Sequence, residues 1–169
     1  MKIYFVIGIS FLLLAQSGIA QQIPNRLINY SVFLDNARQA NAVRESRRLT
    51  EEQFLQAMSE QSVVLLDARS ASKFKLRHLK GAVNLSLPDF TAEDLERIIP
   101  AKNTKVLIYC NNNFLGSPIS FPSKAPGASL NISTFVNLTT YGYTNVYELG
   151  PLVDVKTTKL PFEGTETLK

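Results

Sequence analysis

Lys105-Val106-Leu107-Ile108-Tyr109-Cys110-Asn111-Asn112-Asn113 is the stretch from which the architecture of this chain can be read. Val106 to Tyr109 form an apolar run of the kind that makes a strand covered on both faces, as in parallel sheets. The three asparagines are turn formers, so the strand ends and a loop opens at Cys110. Cys110 is also the only cysteine among the 169 residues. Open α/β sheets bind ligands outside the carboxyl ends of their strands, which is where this thiol would sit. A helix after the loop would offer backbone N–H groups and a positive dipole end, both of which favour a thiolate. The same residue can also be read as a structural cysteine, because free Cys is among the most buried residue types.

The flanking segments repeat an alternation of strand and helix. Upstream, Val63-Val64-Leu65-Leu66 is a second continuous apolar run, with Asp67-Ala68-Arg69 at its end. Thr50, with Gln53 three residues on, has the capping-box pattern and opens a helix whose Phe54, Leu55 and Met58 face a core. A short helix is expected around Ser72 to Arg77 and a strand at Val83-Asn84-Leu85. Thr91 caps a helix through Ile99, and Pro100 stops it. Asn111 to Gly127 carries Pro118, Pro122, Pro126, Gly116 and Gly127 and is expected to be one long loop. A helix follows from about Ser129 to Tyr141, closed by Gly142. Val146 to Leu149 is a last strand, Gly150-Pro151 a turn, and Leu152 to Thr158 an expected short helix. The alternation predicts an α/β fold, a parallel central sheet with helices on both faces.

The ends of the chain set its organisation. Residues 1–20 read as an export signal: Lys2 is basic, Ile3 to Leu14 are largely apolar, and Gly18-Ile19-Ala20 places small residues before Gln21. A retained anchor is the other reading, but a span needs about 20 apolar residues. A bacterial lipid-anchor cysteine is absent at the cleavage point. These features lead us to expect a secreted or periplasmic bacterial protein with no stable membrane insertion after cleavage. Residues 21–48 form an N-terminal extension, with a helix expected from about Asn29 to Arg48 because Tyr30, Phe33, Leu34, Ala37 and Ala40 fall at helical spacing. Residues 49–164 form the main domain and 165–169 a tail. The lone Cys excludes an intrachain disulfide, and an unpaired thiol in an exported protein points to a use for it.

Charge and composition narrow the partners. The net charge of +4 is scattered apart from Arg44, Arg47 and Arg48. That trio reads as a solvated helix end, where cations suit the dipole, or as a site for an anionic partner. No basic stripe broad enough for a nucleic acid is visible. One His, one Cys and scattered carboxylates show no metal-ligand spacing, and no cofactor is implied.

Five short segments, in order, resemble the rhodanese-like domain family. Asp67-Ala68-Arg69 resembles its Asp-x-Arg, and His78-Leu79-Lys80-Gly81-Ala82-Val83-Asn84 its His-x-x-Gly-Ala-x-Asn. Leu107-Ile108-Tyr109-Cys110 resembles the strand that carries the family's sulfur-accepting cysteine. Tyr141 to Tyr147 with Leu149-Gly150 resembles its Gly-Tyr-x-x-Val strand and glycine turn, and Leu160-Pro161-Phe162 its closing segment. The chain departs from the pattern in its long loop after Cys110, whose nearest cation is Lys124, and in having Val155 where the family places a tryptophan.

The resemblance implies sulfur transfer. The Cys110 thiolate would take sulfane sulfur from a small donor such as thiosulfate and pass it, as a persulfide, to a thiol or protein acceptor. Asn111, Asn112, Asn113 and Phe114 are the candidate substrate-binding residues, since Asn tolerates left-handed backbone and offers amide donors; the run can equally be an ordinary turn. Asp67 and Arg69 can pair at the strand ends, and His78 reads as an ordering residue before the second strand or as a base. A cysteine phosphatase would need an Arg in the loop, and none follows Arg97. The remaining alternative is a non-catalytic binding module that uses the loop 111–127 for partner recognition. That loop is expected to be ordered over Cys110, because Phe114, Leu115, Ile119 and Phe121 give it apolar side chains to bury. The oligomeric state is not legible.

Overall fold

The computed structural model describes residues 23–168; the expected export signal lies outside the described residues. Helix α1 (Tyr30–Arg44) comes first, capped by the Asn29 side chain accepting from the Val32 N–H. A 3-10 turn, Glu45–Arg47, leads into β1 (Arg48–Leu49). The expected helix therefore stops short of Arg48, which is a strand residue. Then come α2 (Glu51–Met58), β2 (Val64–Asp67), α3 (Ala71–Leu76), β3 (His78–Leu79), β4 (Val83–Asn84) and α4 (Ala92–Ile98). They are followed by β5 (Val106–Tyr109), β6 (Phe114–Leu115), α5 (Leu130–Thr140), β7 (Val146–Leu149), β8 (Val153–Asp154) and β9 (Phe162–Glu163).

Five strands form one parallel sheet in the order β1-β7-β5-β2-β4. β5 and β2 are inner strands, and the apolar runs of the sequence are theirs. Side chains alternate across the sheet. Leu66, Val106, Ile108 and Val146 enter one core with Ala40 of α1, Leu95 of α4 and Phe135 and Leu138 of α5. Leu65, Leu107, Tyr109 and Leu149 enter a second core with Phe54 and Ala57 of α2, Leu79, Phe114 and Phe121. Helices α1, α4 and α5 thus cover one face and α2 the other. Each of the fully buried aliphatic side chains contributes about 1.5–3 kcal/mol of burial. The predicted α/β fold is the observed one.

Local chemistry explains the element ends. Thr50 and Gln53 make the reciprocal capping box. Gly142 takes φ +86°, a left-handed conformation that closes α5 at little cost. Two expectations are corrected. The segment 111–127 is not a featureless loop: it contains a 3-10 turn at Asn111–Asn113, strand β6 and the start of a second 3-10 turn, Pro126–Ala128. Nor is there a helix over Leu152–Thr158, because Val153 and Asp154 pair in parallel with Phe114 and Leu115. The long insertion supplied the strand that this segment needed as a partner. The segment beyond 164 is a 3-10 turn, Thr165–Leu168, tied back by Ser117 and Ser120, whose hydroxyls donate to the Glu166 carboxylate. Among the described residues no helix is long and apolar enough to cross a membrane.

Candidate active site at the end of the central strand

Cys110 follows the last residue of β5 in extended backbone, φ −147° and ψ −173°. Alternation puts its side chain on the face of Val106 and Ile108, which is the face of α1 and α5. Its Sγ lies 3.4 Å from Ser129 Oγ, immediately before α5. The thiol is therefore set against the N-terminal end of a helix, as the strand–loop–helix order implied. It is 1% exposed and in no disulfide. It lines a pocket of about 220 Å³ with Asn112, Asn113, Ser129, Asn131, Arg44, Arg48 and Glu148.

Strand register explains how the charged residues reach this pocket. Arg48 on β1 is paired with Glu148 on β7, and Glu148 is paired with Ile108 on β5, two residues before Cys110. Glu148 shares the face of Val146 and is 1% exposed. A buried carboxylate needs partners. Arg44, the last residue of α1, meets it at 2.7 Å through Nη2 and 3.2 Å through Nε. Arg48 Nε meets it at 3.2 Å. Burial pushes the Glu148 carboxyl above the usual glutamate range, with the Arg44 guanidinium acting the other way. None of these three residues belonged to the expected site. The signal that could have found them is Glu148 itself, a carboxylate inside the apolar strand Val146 to Leu149.

The asparagines hold the loop. Asn113 donates to the Leu149 and Pro151 carbonyls at 2.8 and 3.1 Å, while its Oδ1 accepts from the Cys110 N–H and from Asn131. All four of its hydrogen-bonding positions are thus engaged by protein. Asn112 donates to the Lys124 carbonyl and accepts from the Lys124 N–H. Asn111 donates to the Pro122 carbonyl at 2.7 Å. Their amide donors were expected to meet substrate; both of Asn113's, and one each of Asn111's and Asn112's, meet backbone carbonyls. Phe114 is also displaced from its expected role. It is 2% exposed and packs with Tyr109, Phe121 and Phe162 in the second core. Leu115 and Ile119, expected to be buried by the loop, are exposed.

Asp67 and Arg69 form a closed group near the end of β2. Arg69 Nε and Nη2 donate to the Asp67 carboxylate at 2.5–3.1 Å. Its Nη1 donates to the Ser120 carbonyl and its Nη2 also to the Arg77 carbonyl, both at 2.8 Å. The guanidinium lies 4.3 Å from the Phe121 ring centroid. Tyr109 completes the group by donating to Asp67 at 2.6 Å. Burial and then the Asp67 charge push the Tyr109 phenol well above its usual range, so it remains a donor. His78 stacks on Phe74, with Nδ1 2.7 Å from the Phe74 carbonyl and Nε2 3.8 Å from the Glu163 carboxylate. It does not line the Cys110 pocket and sits in β3, paired with Glu163 of β9. No cluster of three or more His, Cys, Asp or Glu side chains suited to a metal occurs among the described residues.

Residues 50–150 match the model of the rhodanese-like domain family. The chain belongs to that family. Similar solved structures include a Bacillus halodurans protein, 15% identical, with a TM-score of 0.53 over 79% of this chain and 88% of that one. The rhodanese-like domain of an Anabaena sp. protein is 18% identical, with a TM-score of 0.51 over 72% of this chain and 81% of that domain. At these identities the likeness is one of fold. No curated protein matches the chain. Within the rhodanese-like fold, Cys110 ends the middle strand of the sheet, and the loop after it is stitched down by asparagines.

Proposed function

We propose that this rhodanese-like protein is a sulfurtransferase in which Cys110 accepts sulfane sulfur and passes it on. The observation that carries the reading is the placement of Cys110. The thiol ends the central strand beside the N-terminal end of α5, in a pocket whose rim bears two guanidinium groups. In the first step the Cys110 thiolate attacks the outer sulfur of a donor such as thiosulfate. The new bond joins Sγ to that sulfur, the donor's S–S bond breaks, and its electron pair leaves with sulfite. In the second step a thiol or protein acceptor attacks the terminal sulfur and Cys110 departs as thiolate. Family membership and the strand-end cysteine support this reading. The test is incubation with thiosulfate followed by intact-mass measurement. A gain of one sulfur atom, removed by cyanide and absent in Cys110→Ser, is expected. A folded wild-type chain that gains no sulfur from thiosulfate, polysulfide or a low-molecular-weight persulfide would overturn it.

A second reading, a binding module without catalysis, is favoured by one observation. Cys110 is nearly inaccessible while Leu115 and Ile119 of the insertion are 49% and 65% exposed, a surface suited to a protein partner. Cys110→Ser would leave such a partner bound. Residues 1–20 support export, with maturation before Gln21, and the mass of the mature chain tests it.

A further inference from the structure

We infer that residues 23–33 form a membrane-surface contact, which seats the exported chain on an anionic phospholipid bilayer at headgroup depth. The inference rests on the export reading, with Gln21 as the first residue, and is independent of the chemistry at Cys110. Eleven large apolar side chains are exposed among the described residues, and six of them lie in this one segment: Ile23, Leu27, Ile28, Tyr30, Val32 and Phe33. Their exposures run from 49% to 88%. Scattered exposed apolar residues are ordinary, but a concentration of this kind marks a contact surface.

The fold leaves the segment uncovered. Helix α1 docks on the body only from its second turn onward. Asn36 Nδ2 donates to the Thr140 hydroxyl at 3.1 Å, Ala37 packs on the core and Ala40 is buried. The first turn, with the Tyr30 and Phe33 rings stacked at a centroid distance of 6.0 Å, stays in solvent. None of the six apolar residues lines the pocket of Cys110.

Charge and backbone chemistry decide what covers it. Arg26 is the only charged side chain from Gln21 to Leu34. The first carboxylate, Asp35, is engaged by Arg38 at 2.7 Å. A guanidinium among aliphatic and aromatic side chains, with no carboxylate, suits the bilayer interface: the cation meets lipid phosphates and Tyr lies at headgroup level. Entry there also requires that backbone N–H groups keep partners. Leu27 donates to the Asn25 side chain at 2.9 Å and Ile28 to the Asn25 carbonyl at 3.2 Å. Val32 and Phe33 donate to the side chain and the carbonyl of Asn29, at 3.1 and 3.2 Å. These four apolar residues thus leave water without stranding a donor. The segment also follows directly on residues 1–20, the stretch that brings the chain to a membrane during export, so it emerges at that surface. The contact is peripheral, since no helix among the described residues is long and apolar enough to cross.

The test is flotation of the chain from Gln21 with vesicles of phosphatidylethanolamine and phosphatidylglycerol, against vesicles of phosphatidylcholine alone. Binding to the anionic vesicles is expected, with weaker binding to the neutral ones and a loss in high salt. Arg26→Gln should lower the partition constant on anionic vesicles on the order of fivefold and leave the neutral ones unchanged. The combined variant Leu27→Ser, Ile28→Ser, Phe33→Ser should lose binding to both. It should keep the circular dichroism spectrum and urea midpoint of the wild type, because these side chains face solvent in the folded chain. A wild-type chain that does not float with anionic vesicles would overturn the inference, and so would flotation that the combined variant retains. Self-association abolished by the combined variant, without flotation, would assign the segment to a second copy and overturn it equally. A native chain whose mass still begins at Met1 would remove the export reading alone, because flotation is measured on residues 21–169.

Discussion

Two groups of carboxylate and guanidinium stand at the same edge of the sheet, and they are built differently. Near the end of β2, Asp67 and Arg69 are paired one to one, both buried, with Arg69 also bonded to the Ser120 and Arg77 carbonyls. Beside Cys110, one buried carboxylate, Glu148, faces two partly exposed cations. The first group is closed: each donor nitrogen of Arg69 has a protein acceptor, so no charge is left for a ligand. The second is open to solvent at a pocket: Arg44 and Arg48 are partly exposed, and Arg48 also meets the exposed Glu45 carboxylate. Identical chemistry thus holds the loop from within the core in one place and lines a solvent-accessible pocket in the other, and burial separates the two.

The sharpest way to break this contrast is Arg69→Ala. It strands a buried Asp67 and leaves the Ser120 and Arg77 carbonyls without their donor, and removal of one partner from a buried pair typically costs about 3–5 kcal/mol. Urea unfolding should show a loss of that order, with Arg69→Lys rescuing only part because it lacks the fork. A loss below about 1 kcal/mol, far under the cost of stranding a buried charge, would show that the Asp67–Arg69 group does not hold the loop.

Asn113→Ala should have the next largest effect. Asn113 ties the Cys110 N–H to the Leu149 and Pro151 carbonyls, and leaving such buried groups unpaired costs about 1–3 kcal/mol. Because the same side chain fixes the backbone of Cys110, sulfur loading should slow more than stability alone explains. Equal sulfur-loading rates in variant and wild type at a temperature where both are folded would show that the clamp does not position the thiol.

The smallest effect is a pH dependence at Glu148. Its folded-state pKa is raised, so the folded protein holds this proton more tightly than the unfolded chain. The contribution of Glu148 to stability is therefore greatest below the usual glutamate range and declines as pH rises through the raised value. Measured against Glu148→Gln, wild-type stability should fall over that window and then level. A difference that grows with pH would mean that the two arginines outweigh burial, and would close the gap between the two groups.

Much of this was legible in the chain. The apolar runs at Val63 to Leu66 and Val106 to Tyr109, the Thr50 cap and the Gly142 stop are local signals, because periodicity and turn chemistry act over a few residues. The insertion was misread in its details for a physical reason. Strand β6 exists only because β8, far along the sequence, pairs with it, and neither two-residue piece carries a pattern of its own. The asparagines were correctly seen as turn residues, but their acceptors lie as much as 38 residues away, on carbonyls that no local pattern reveals.

By itself, then, the sequence determined an alternating α/β chain with a single thiol at the end of a buried strand, because strand burial and turn formation are written in short windows. Tertiary structure alone decided what surrounds that thiol. Arg44 and Arg48 reach it because β1 pairs with β7 across 100 residues of chain, setting Arg48 against Glu148 and Glu148 against the strand of Cys110. Long-range strand register is a property of the closed sheet, in which each side chain's neighbours across the strands are fixed only when the backbones pair.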